Sequence, residues 1–264
     1  MYSFSEHTFN EIAAQIEPQT IEYYKTKFTP QDLEKYTLSI TGTVGAGKSA
    51  ACESIAYILQ TAFPDIHLNM FPEYLSVNPD LSNKMLELRL NGIISVCTFQ
   101  SYIIDIWNLI AQYATNSGFR LFERCADDCV LCFANVANKD DQLSDQMLYT
   151  MFQRIRELDT AYNLPTYFNS THFTEIKSSN LNYNLCQIAD IIASDISNNI
   201  FTRIIGLSVS SFDSERRIKQ RNRNGETSYT SAAIQMLNEH YTKLFNLLAS
   251  HQTLTRFVDI GKLY

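Results

Sequence analysis

Residues 42–49 read GTVGAGKS, and they decide the fold because they match the pattern G-x-x-x-x-G-K-[ST] of a phosphate-binding loop. The short apolar run 37–41 (TLSIT) comes directly before the loop, and the segment 49–63 after it has helical character. Glycines let the backbone curl so that its N–H groups point at phosphate oxygens, and the start of the following helix adds a favourable dipole. We therefore predict a phosphate-binding strand–loop–helix unit rather than an ordinary glycine-rich turn. The loop consists of Gly42, Thr43, Val44, Gly45, Ala46, Gly47, Lys48 and Ser49.

Two residues of the loop suit the phosphates and a metal ion. Lys48 is predicted to bridge the β- and γ-phosphates of a nucleotide, and the Ser49 hydroxyl is predicted to bind Mg²⁺. Kinases, GTPases, ATPases and helicases all carry such a loop. The motif therefore predicts a bound nucleotide without selecting the reaction.

Strand signals and helix signals alternate along the rest of the chain. Because strands separated by helices pair in parallel through crossover connections, the pattern predicts a three-layer α/β fold in a single domain, 1–264. Beyond 37–41, the predicted strands are 67–71, 119–122, 203–209 and 255–260. The predicted helices are 49–63, 81–90, 96–114, a helix through about residue 137, 144–162, 214–220 and 230–248.

Two segments lie outside this alternation. Residues 1–36 are predicted to form an N-terminal arm with helical stretches around 9–16 and 30–36. The segment 163–199 is rich in Asn, Ser and Thr, and we interpret it as an insertion with one helix near 185–194. Either segment could cover a cleft or form an oligomer surface.

Composition excludes several classes of function. The net charge of −7 and the pI of about 5.2 argue against a broad basic face for polymeric nucleic acid. No run of about 18 apolar residues occurs, and the start of the chain lacks a basic region followed by an apolar stretch. We therefore expect a cytoplasmic protein that binds neither membranes nor polymeric nucleic acid, with small molecules as its partners.

The six cysteines do not predict a metal site. Cys129 and Cys132 form a C-x-x-C pattern, but no second ligand pair lies at zinc spacing among the other cysteines and the histidines. Their neighbours are apolar, on a predicted helix. Buried free thiols are therefore expected.

Four further segments resemble the deoxyribonucleoside kinase family, and they occur in the family's order. The segment 71–73 (FPE) ends the second strand, and the resemblance makes Glu73 the base for a 5′-hydroxyl, although the family usually has Glu-Pro where this chain has Pro-Glu. The segment 97–102 (CTFQSY) resembles the family's Phe-Gln-x-Tyr, in which the glutamine pairs with the nucleobase. Gln100 is thus expected to bind the base, because an amide both donates and accepts hydrogen bonds.

The other two segments are charged. The segment 122–125 (FERC) is similar to the family's strand-end Glu-Arg-Ser. That resemblance assigns Mg²⁺ support to Glu123 and contact with the reacting oxygens to Arg124. Residues 216–229 resemble the family's arginine-rich lid over the ATP phosphates, formed here by Arg217, Arg221 and Arg223. Glu226 matches an acid that reaches the 3′-hydroxyl of the sugar.

Several pocket positions depart from the family pattern. Arg89 occupies the position of a tyrosine that often holds the 3′-hydroxyl, and it would suit a hydroxyl or a monophosphate. Trp107 stands where deoxycytidine-preferring members have arginine, and Cys129 stands where they have its aspartate partner. The loss of that polar pair favours thymidine or a broad pyrimidine preference. Trp107 is equally well explained as a core residue. Ile103 is counted with Gln100 and Trp107 as lining the substrate pocket.

The resemblance implies a five-stranded parallel sheet flanked by helices, an arginine-rich lid, and a nucleoside cleft beyond the carboxyl ends of the strands. It also implies ATP-dependent, Mg²⁺-assisted phosphorylation of a deoxyribonucleoside at its 5′-hydroxyl, by a chain that is commonly a homodimer. Two alternatives remain open. One is a nucleoside monophosphate kinase of the thymidylate type, which shares the loop and the lid. The other is a kinase-like accessory subunit without activity.

Overall fold

The computed structural model describes residues 6–114, 117–134, 143–167, 172–178, 180–221 and 231–250. Its centre is a five-stranded sheet in which every neighbouring pair of strands is parallel. The strands lie in the order β2-β3-β1-β5-β4. Their bounds are Thr37–Gly42 (β1), Leu68–Phe71 (β2), Phe119–Glu123 (β3), Phe173–Lys177 (β4) and Thr202–Ser208 (β5).

Helices surround the sheet, and most of them lie within a few residues of their predicted positions. Side-chain caps set several starts: Ser95, for example, accepts a hydrogen bond from the Thr98 N–H at 3.0 Å. The α-helices are Glu6–Ala13 (α1), Pro18–Lys27 (α2), Pro30–Leu33 (α3), Lys48–Ala62 (α4), Tyr74–Val77 (α5), Pro79–Leu90 (α6), Val96–Tyr113 (α7), Asp145–Tyr162 (α8), Leu181–Ser197 (α9), Ser211–Arg221 (α10) and Ser231–Ala249 (α11). A π-helix spans Cys129–Ala134, where a longer helix through about residue 137 was predicted.

Side chains that alternate along the strands pack into two separate hydrophobic cores, one on each face of the sheet. Phe122 of β3 packs with α7, α8, α11 and the π-helix, whereas its neighbour Leu121 packs with α1, α2, α4 and α9 on the other face. In β5, Ile204 and Ile205 divide between the two cores in the same way. The chain therefore has the predicted three layers, with a parallel sheet between two layers of helices.

The fifth strand of the sheet is not the one that the sequence predicted. The predicted strand 255–260 lies outside the described residues, and β4 falls in the segment 163–199, for which only one helix was expected. β4 is an edge strand in which only Ile176 is buried, so its sequence FTEIK lacks the apolar run of a central strand. The expected helix is present as α9, and it is longer than predicted.

The N-terminal arm packs against the segment 163–199. The buried Tyr24 hydroxyl donates to the Leu185 carbonyl at 3.0 Å, and the Thr20 hydroxyl donates to the Asn182 side chain at 3.1 Å. Both segments share the core that contains α4. The two parts that the sequence left unexplained thus support one face of the sheet together.

Two further expectations concern composition. All six cysteines are free, and Cys129 and Cys132 are buried, which confirms the interpretation of the C-x-x-C pattern. Within the described ranges, no helix is both long enough and apolar enough to cross a membrane.

Candidate active site

The phosphate loop follows β1 at the carboxyl end of the sheet, and three of its glycines have positive φ angles. Gly42 has a φ of 132°, and a Cβ on it would lie 2.0 Å from the Leu207 carbonyl oxygen of the neighbouring strand. Gly45 and Gly47 have φ angles of 77° and 90°. Lys48 then begins α4, so the loop ends at the positive end of a helix dipole. This backbone is a cradle for phosphate oxygens.

Lys48 is buried within the loop. Its ammonium donates to the Thr43 carbonyl at 2.8 Å. Burial and the nearby Arg124 lower the pKa of Lys48 to about 8, and the carboxylates of Glu73 and Glu123 counteract part of that shift. A negatively charged ligand in the cradle would favour the protonated form.

Ser49 and Glu123 form the part of the site suited to a metal ion. The Ser49 hydroxyl donates to Glu123 Oε1 at 2.7 Å, and the Glu73 backbone N–H lies 3.3 Å from Glu123 Oε2. Burial and the charge of Glu73 raise the pKa of Glu123. Among the described residues, no group of three or more His, Cys, Asp or Glu side chains is arranged to hold a metal. One hydroxyl and one carboxylate still fit Mg²⁺, which usually keeps waters and phosphate oxygens as its other ligands.

Arg124 and Glu73 form a buried ion pair at the centre of the site. Arg124 Nε donates to Glu73 Oε1 at 2.7 Å, with 3% of the arginine side chain and 10% of the glutamate side chain exposed. Arg124 Nη1 also donates to the Gly42 carbonyl at 3.2 Å and to the Tyr241 hydroxyl at 2.8 Å. The guanidinium lies 5.1 Å from the centre of the Phe133 ring. These contacts fix the cation between the phosphate loop and Glu73.

The backbone of Arg124 is in an uncommon conformation. Its φ is 80°, in the left-handed region that a non-glycine residue enters at a cost of about 1–2 kcal/mol. The Arg124 N–H donates to the Ile40 carbonyl at 2.8 Å, and the Arg124 carbonyl accepts from the Ser39 hydroxyl at 3.0 Å. The turn after β3 is thus fastened to β1, which leads into the phosphate loop.

These residues line a cavity of about 320 Å³ whose lining is chemically mixed. The phosphate loop, the start of α4 and Arg217 contribute polar groups, and Tyr74, Leu75, Leu86 and Phe133 contribute mainly apolar surface. Glu73, Glu123 and Arg124 lie on the wall as well. The lining residues are Val44, Gly45, Gly47, Lys48, Ser49, Ala50, Glu73, Tyr74, Leu75, Leu86, Glu123, Arg124, Phe133 and Arg217.

Arg217 is the residue of the predicted lid whose side chain the structure describes at this cavity. Its Nη1 donates to the Gly45 carbonyl at 3.2 Å and to the Ser178 hydroxyl at 3.3 Å. The Ser214 hydroxyl, one helical turn earlier in α10, donates to the Val44 carbonyl. α10 is therefore bound directly to the phosphate loop. The side chain of Arg221 and the whole of Arg223 and Glu226 lie outside the described residues.

The predicted base-binding residues do not line this cavity. Ile103 and Trp107 lie in the core, and the fully buried Trp107 ring stacks on Phe122 with centres 6.5 Å apart. Cys129 is also buried, and its thiol donates to the Ala126 carbonyl at 3.0 Å. Arg89 is half-buried near the end of α6.

Gln100 differs from those residues in one respect. It is 6% exposed, and its Oε1 atom has no hydrogen-bond partner among the described residues. The indole N–H of Trp107, on the same helix, is also buried without a partner in that part of the chain. A buried polar atom without a partner is unfavourable, so the Gln100 oxygen is suited to a polar ligand.

Several residues of the site were missed by the sequence analysis. Phe133 and Tyr241 contact Arg124, and no local motif marks either aromatic residue; Tyr241 lies 117 positions away along the chain. Asp127 and Asp128 are fully buried just behind the site. Their signal was present, because two adjacent acids stand inside the otherwise apolar run CADDCVLC. Charged residues in such a run rarely become buried without a partner or a role.

The fold and the loop define a three-layer α/β protein with a phosphate-binding loop at the carboxyl end of its parallel sheet. No protein-family model matches the chain, and no curated protein matches it. The chain is similar to solved structures of deoxyadenosine kinase from M. mycoides. The structure with bound dATP is 20% identical, with a TM-score of 0.48 over 81% of this chain and 86% of that one. The structure with products dCMP and dCDP is 18% identical, with a TM-score of 0.49 over 84% and 85%.

Proposed function

We propose that this protein is a kinase that transfers the γ-phosphate of ATP to the 5′-hydroxyl of a deoxyribonucleoside. The observation that carries the proposal is the position of Glu73. Its carboxylate lies on the wall of a cavity whose lining also includes the phosphate loop and the apolar side chains of Leu75 and Leu86. A hydroxyl of a ligand bound against the apolar side chains would meet this carboxylate beside the donor phosphates.

The residues around Glu73 have the properties that phosphoryl transfer needs. Because this reaction depends mainly on positioning and on neutralising charge, fixed cations matter more than a covalent nucleophile. Three cations line the cavity with the phosphate loop: Lys48, Arg124 and Arg217. Arg221 and Arg223 are expected to add to them from the lid.

In the proposed mechanism, Glu73 accepts the proton of the attacking hydroxyl. The ion pair with Arg124 holds the carboxylate in place. Ser49 and Glu123 would hold Mg²⁺, which when bound neutralises charge on the donor phosphates. Lys48 and the backbone of the loop bind the phosphates themselves, away from bulk water because Lys48 is buried.

The lining of the cavity outside the phosphate loop favours a nucleoside over a monophosphate as the acceptor. There, Tyr74, Leu75, Leu86 and Phe133 carry no charge. The cation Arg124 is already paired with Glu73. A monophosphate would bring about two negative charges next to that carboxylate.

The identity of the base remains part of the proposal. We expect thymidine or a broad pyrimidine preference, because Trp107 and Cys129 replace the polar pair that would suit cytosine. Gln100 would bind the base through its unpartnered Oε1 atom and its amide group. A homodimer is carried by the resemblance to the family alone, and a cytoplasmic location stays the expectation drawn from the sequence.

The test is ATP-dependent phosphorylation of thymidine, deoxycytidine, deoxyadenosine, deoxyguanosine and their 5′-monophosphates. Turnover of a nucleoside supports the proposal, and the ranking identifies the base. Turnover of monophosphates alone would replace the proposal with a monophosphate kinase. ATP binding without turnover of any acceptor would favour an accessory subunit.

A further inference from the structure

Asp128 lies behind the active site and connects the end of β1, the turn after β3 and Tyr167. Its Oδ2 atom accepts from the Cys125 backbone N–H at 3.2 Å and from the Thr41 hydroxyl at 2.5 Å. Its Oδ1 atom accepts from the Tyr167 hydroxyl at 2.6 Å. Asp128, Thr41 and Cys125 are fully buried, and Tyr167 is 2% exposed. One carboxylate thus satisfies three donors in the interior.

The positions of those donors are what matter for function. Cys125 directly follows Arg124, whose φ of 80° requires support from its surroundings. Thr41 directly precedes Gly42, the first residue of the phosphate loop. Asp128 therefore fixes the turn that carries the cation relative to the strand that carries the loop.

We propose that Asp128 is a positioning residue for phosphoryl transfer, which holds Arg124 and the phosphate loop in register. The inference rests on the proposed function, and it assigns to Asp128 no contact with substrate. Asp128 does not line the cavity, so it acts through Arg124 and Gly42, which are themselves joined by a hydrogen bond of 3.2 Å. Tyr167, which belongs to the segment 163–199, completes the support from outside the sheet.

The adjacent Asp127 provides a matched control. It is equally buried, but the bond described for its side chain is to the Tyr167 backbone N–H at 2.7 Å, and it has none to Thr41 or Cys125. Removing either side chain leaves a comparable buried gap. A general loss of packing would therefore affect both variants, whereas a loss of register would affect the Asp128 variant alone.

The experiment compares Asp128→Ala, Asp127→Ala and Asp128→Asn in the full-length chain, with kcat, KM for ATP and KM for the acceptor measured on folded protein. We expect Asp128→Ala to lower kcat by about 100-fold, because a displacement of about 1 Å at the reacting groups has an effect of that size. Asp127→Ala should lower kcat far less, because the bonds from Thr41 and Cys125 to Asp128 remain. Asp128→Asn should recover most of the activity, because its amide oxygen can still accept from Thr41 and Cys125.

Tyr167→Phe tests the same network if Asp128→Ala does not fold. It removes one hydroxyl and keeps the ring, and we expect a smaller fall in kcat with little change in KM for ATP. Wild-type kcat in folded Asp128→Ala, or in Tyr167→Phe where it replaces that variant, would overturn the inference. Equal losses in the two alanine variants would overturn it too. Wild-type protein without activity on any acceptor would instead reject the proposed function, and that control is run first.

Discussion

Replacing Glu73 with glutamine separates the two functions that the site assigns to this residue. The substitution preserves the size of the side chain and removes its charge and its basicity. In the wild-type protein, Glu73 Oε1 accepts from Arg124 Nε at 2.7 Å in a pair that is almost completely buried. Glu73→Gln should therefore change both the chemistry and the stability of the protein, by amounts that can be estimated separately.

The kinetic effect follows from the role as a base. General base catalysis contributes about 10²–10⁴-fold, which corresponds to about 2.7–5.4 kcal/mol in the activation free energy. We expect kcat to fall by at least about 100-fold, and KM for the acceptor to change little, because the proton is transferred only in the transition state.

The effect on stability follows from burial. Breaking a buried ion pair by removing one partner lowers the free energy of unfolding by about 3–5 kcal/mol. The glutamine oxygen can still accept from Arg124, so we expect a loss near or below about 3 kcal/mol. Typical domains have about 5–15 kcal/mol in total, and the variant should remain folded.

The assay combines single-turnover kinetics with urea denaturation and ATP binding. Glu73→Asp is the matched control, because it keeps the charge for Arg124 and moves the carboxylate back by one methylene. It should recover more stability than activity. Full kcat in folded Glu73→Gln would refute the role of Glu73 as the base, whatever happens to stability.

Three further predictions concern residues with distinct physical roles. Gly42→Ala should lower the urea midpoint of unfolding far more than Gly92→Ala. A Cβ at Gly42 meets a backbone oxygen at 2.0 Å, whereas one at Gly92 meets nothing within 4 Å. Equal midpoints for the two variants would contradict this geometry. ATP affinity, measured by titration between pH 7 and 9.5, should fall above pH 8. The pKa of Lys48 in the free protein is about 8, and only the protonated form of its amine attracts phosphate. An ATP affinity that does not change with pH would contradict this. Burial and the adjacent Asp128 raise the pKa of Asp127 well above its ordinary value, so the folded protein retains a proton that the unfolded chain releases above about pH 4. The free energy of unfolding should therefore fall as the pH rises above about 4. Measured by urea denaturation at a series of pH values, its decrease with pH should be smaller in Asp127→Asn than in the wild type. An identical pH dependence would argue against a raised pKa.

The sequence predicted the part of the fold that is locally encoded. The ends of β1 were predicted to within one residue, because its run of buried residues leads directly into the glycine-rich motif of the phosphate loop. β4 was missed for the opposite reason. At the edge of the sheet a strand buries few side chains, and β4 buries only Ile176, so its residues follow no clear apolar pattern.

The candidate site was predictable to the extent that motifs mark it. Glu73, Glu123 and Arg124 were singled out from two short segments, but their contact joins positions 51 residues apart and depends on the order of the strands. The same holds for Tyr241, which reaches Arg124 from the last described helix. Base-pocket positions were inferred by spacing along α7. Spacing places Trp107 on a helix face but does not determine that the ring stacks on Phe122.

The burial of charge at this end of the sheet is itself an argument that the site is used. Five ionisable side chains are each less than one-tenth exposed there: Lys48, Glu73, Glu123, Arg124 and Asp128. Removing a charge from water has an effective penalty of several kcal/mol, and apolar residues of similar volume are often equally stable or more stable. A protein whose fold alone mattered could replace these residues and gain stability. Their presence around one cradle for phosphate is therefore explained by chemistry rather than by folding, and this favours an active kinase over an accessory subunit that has lost its reaction.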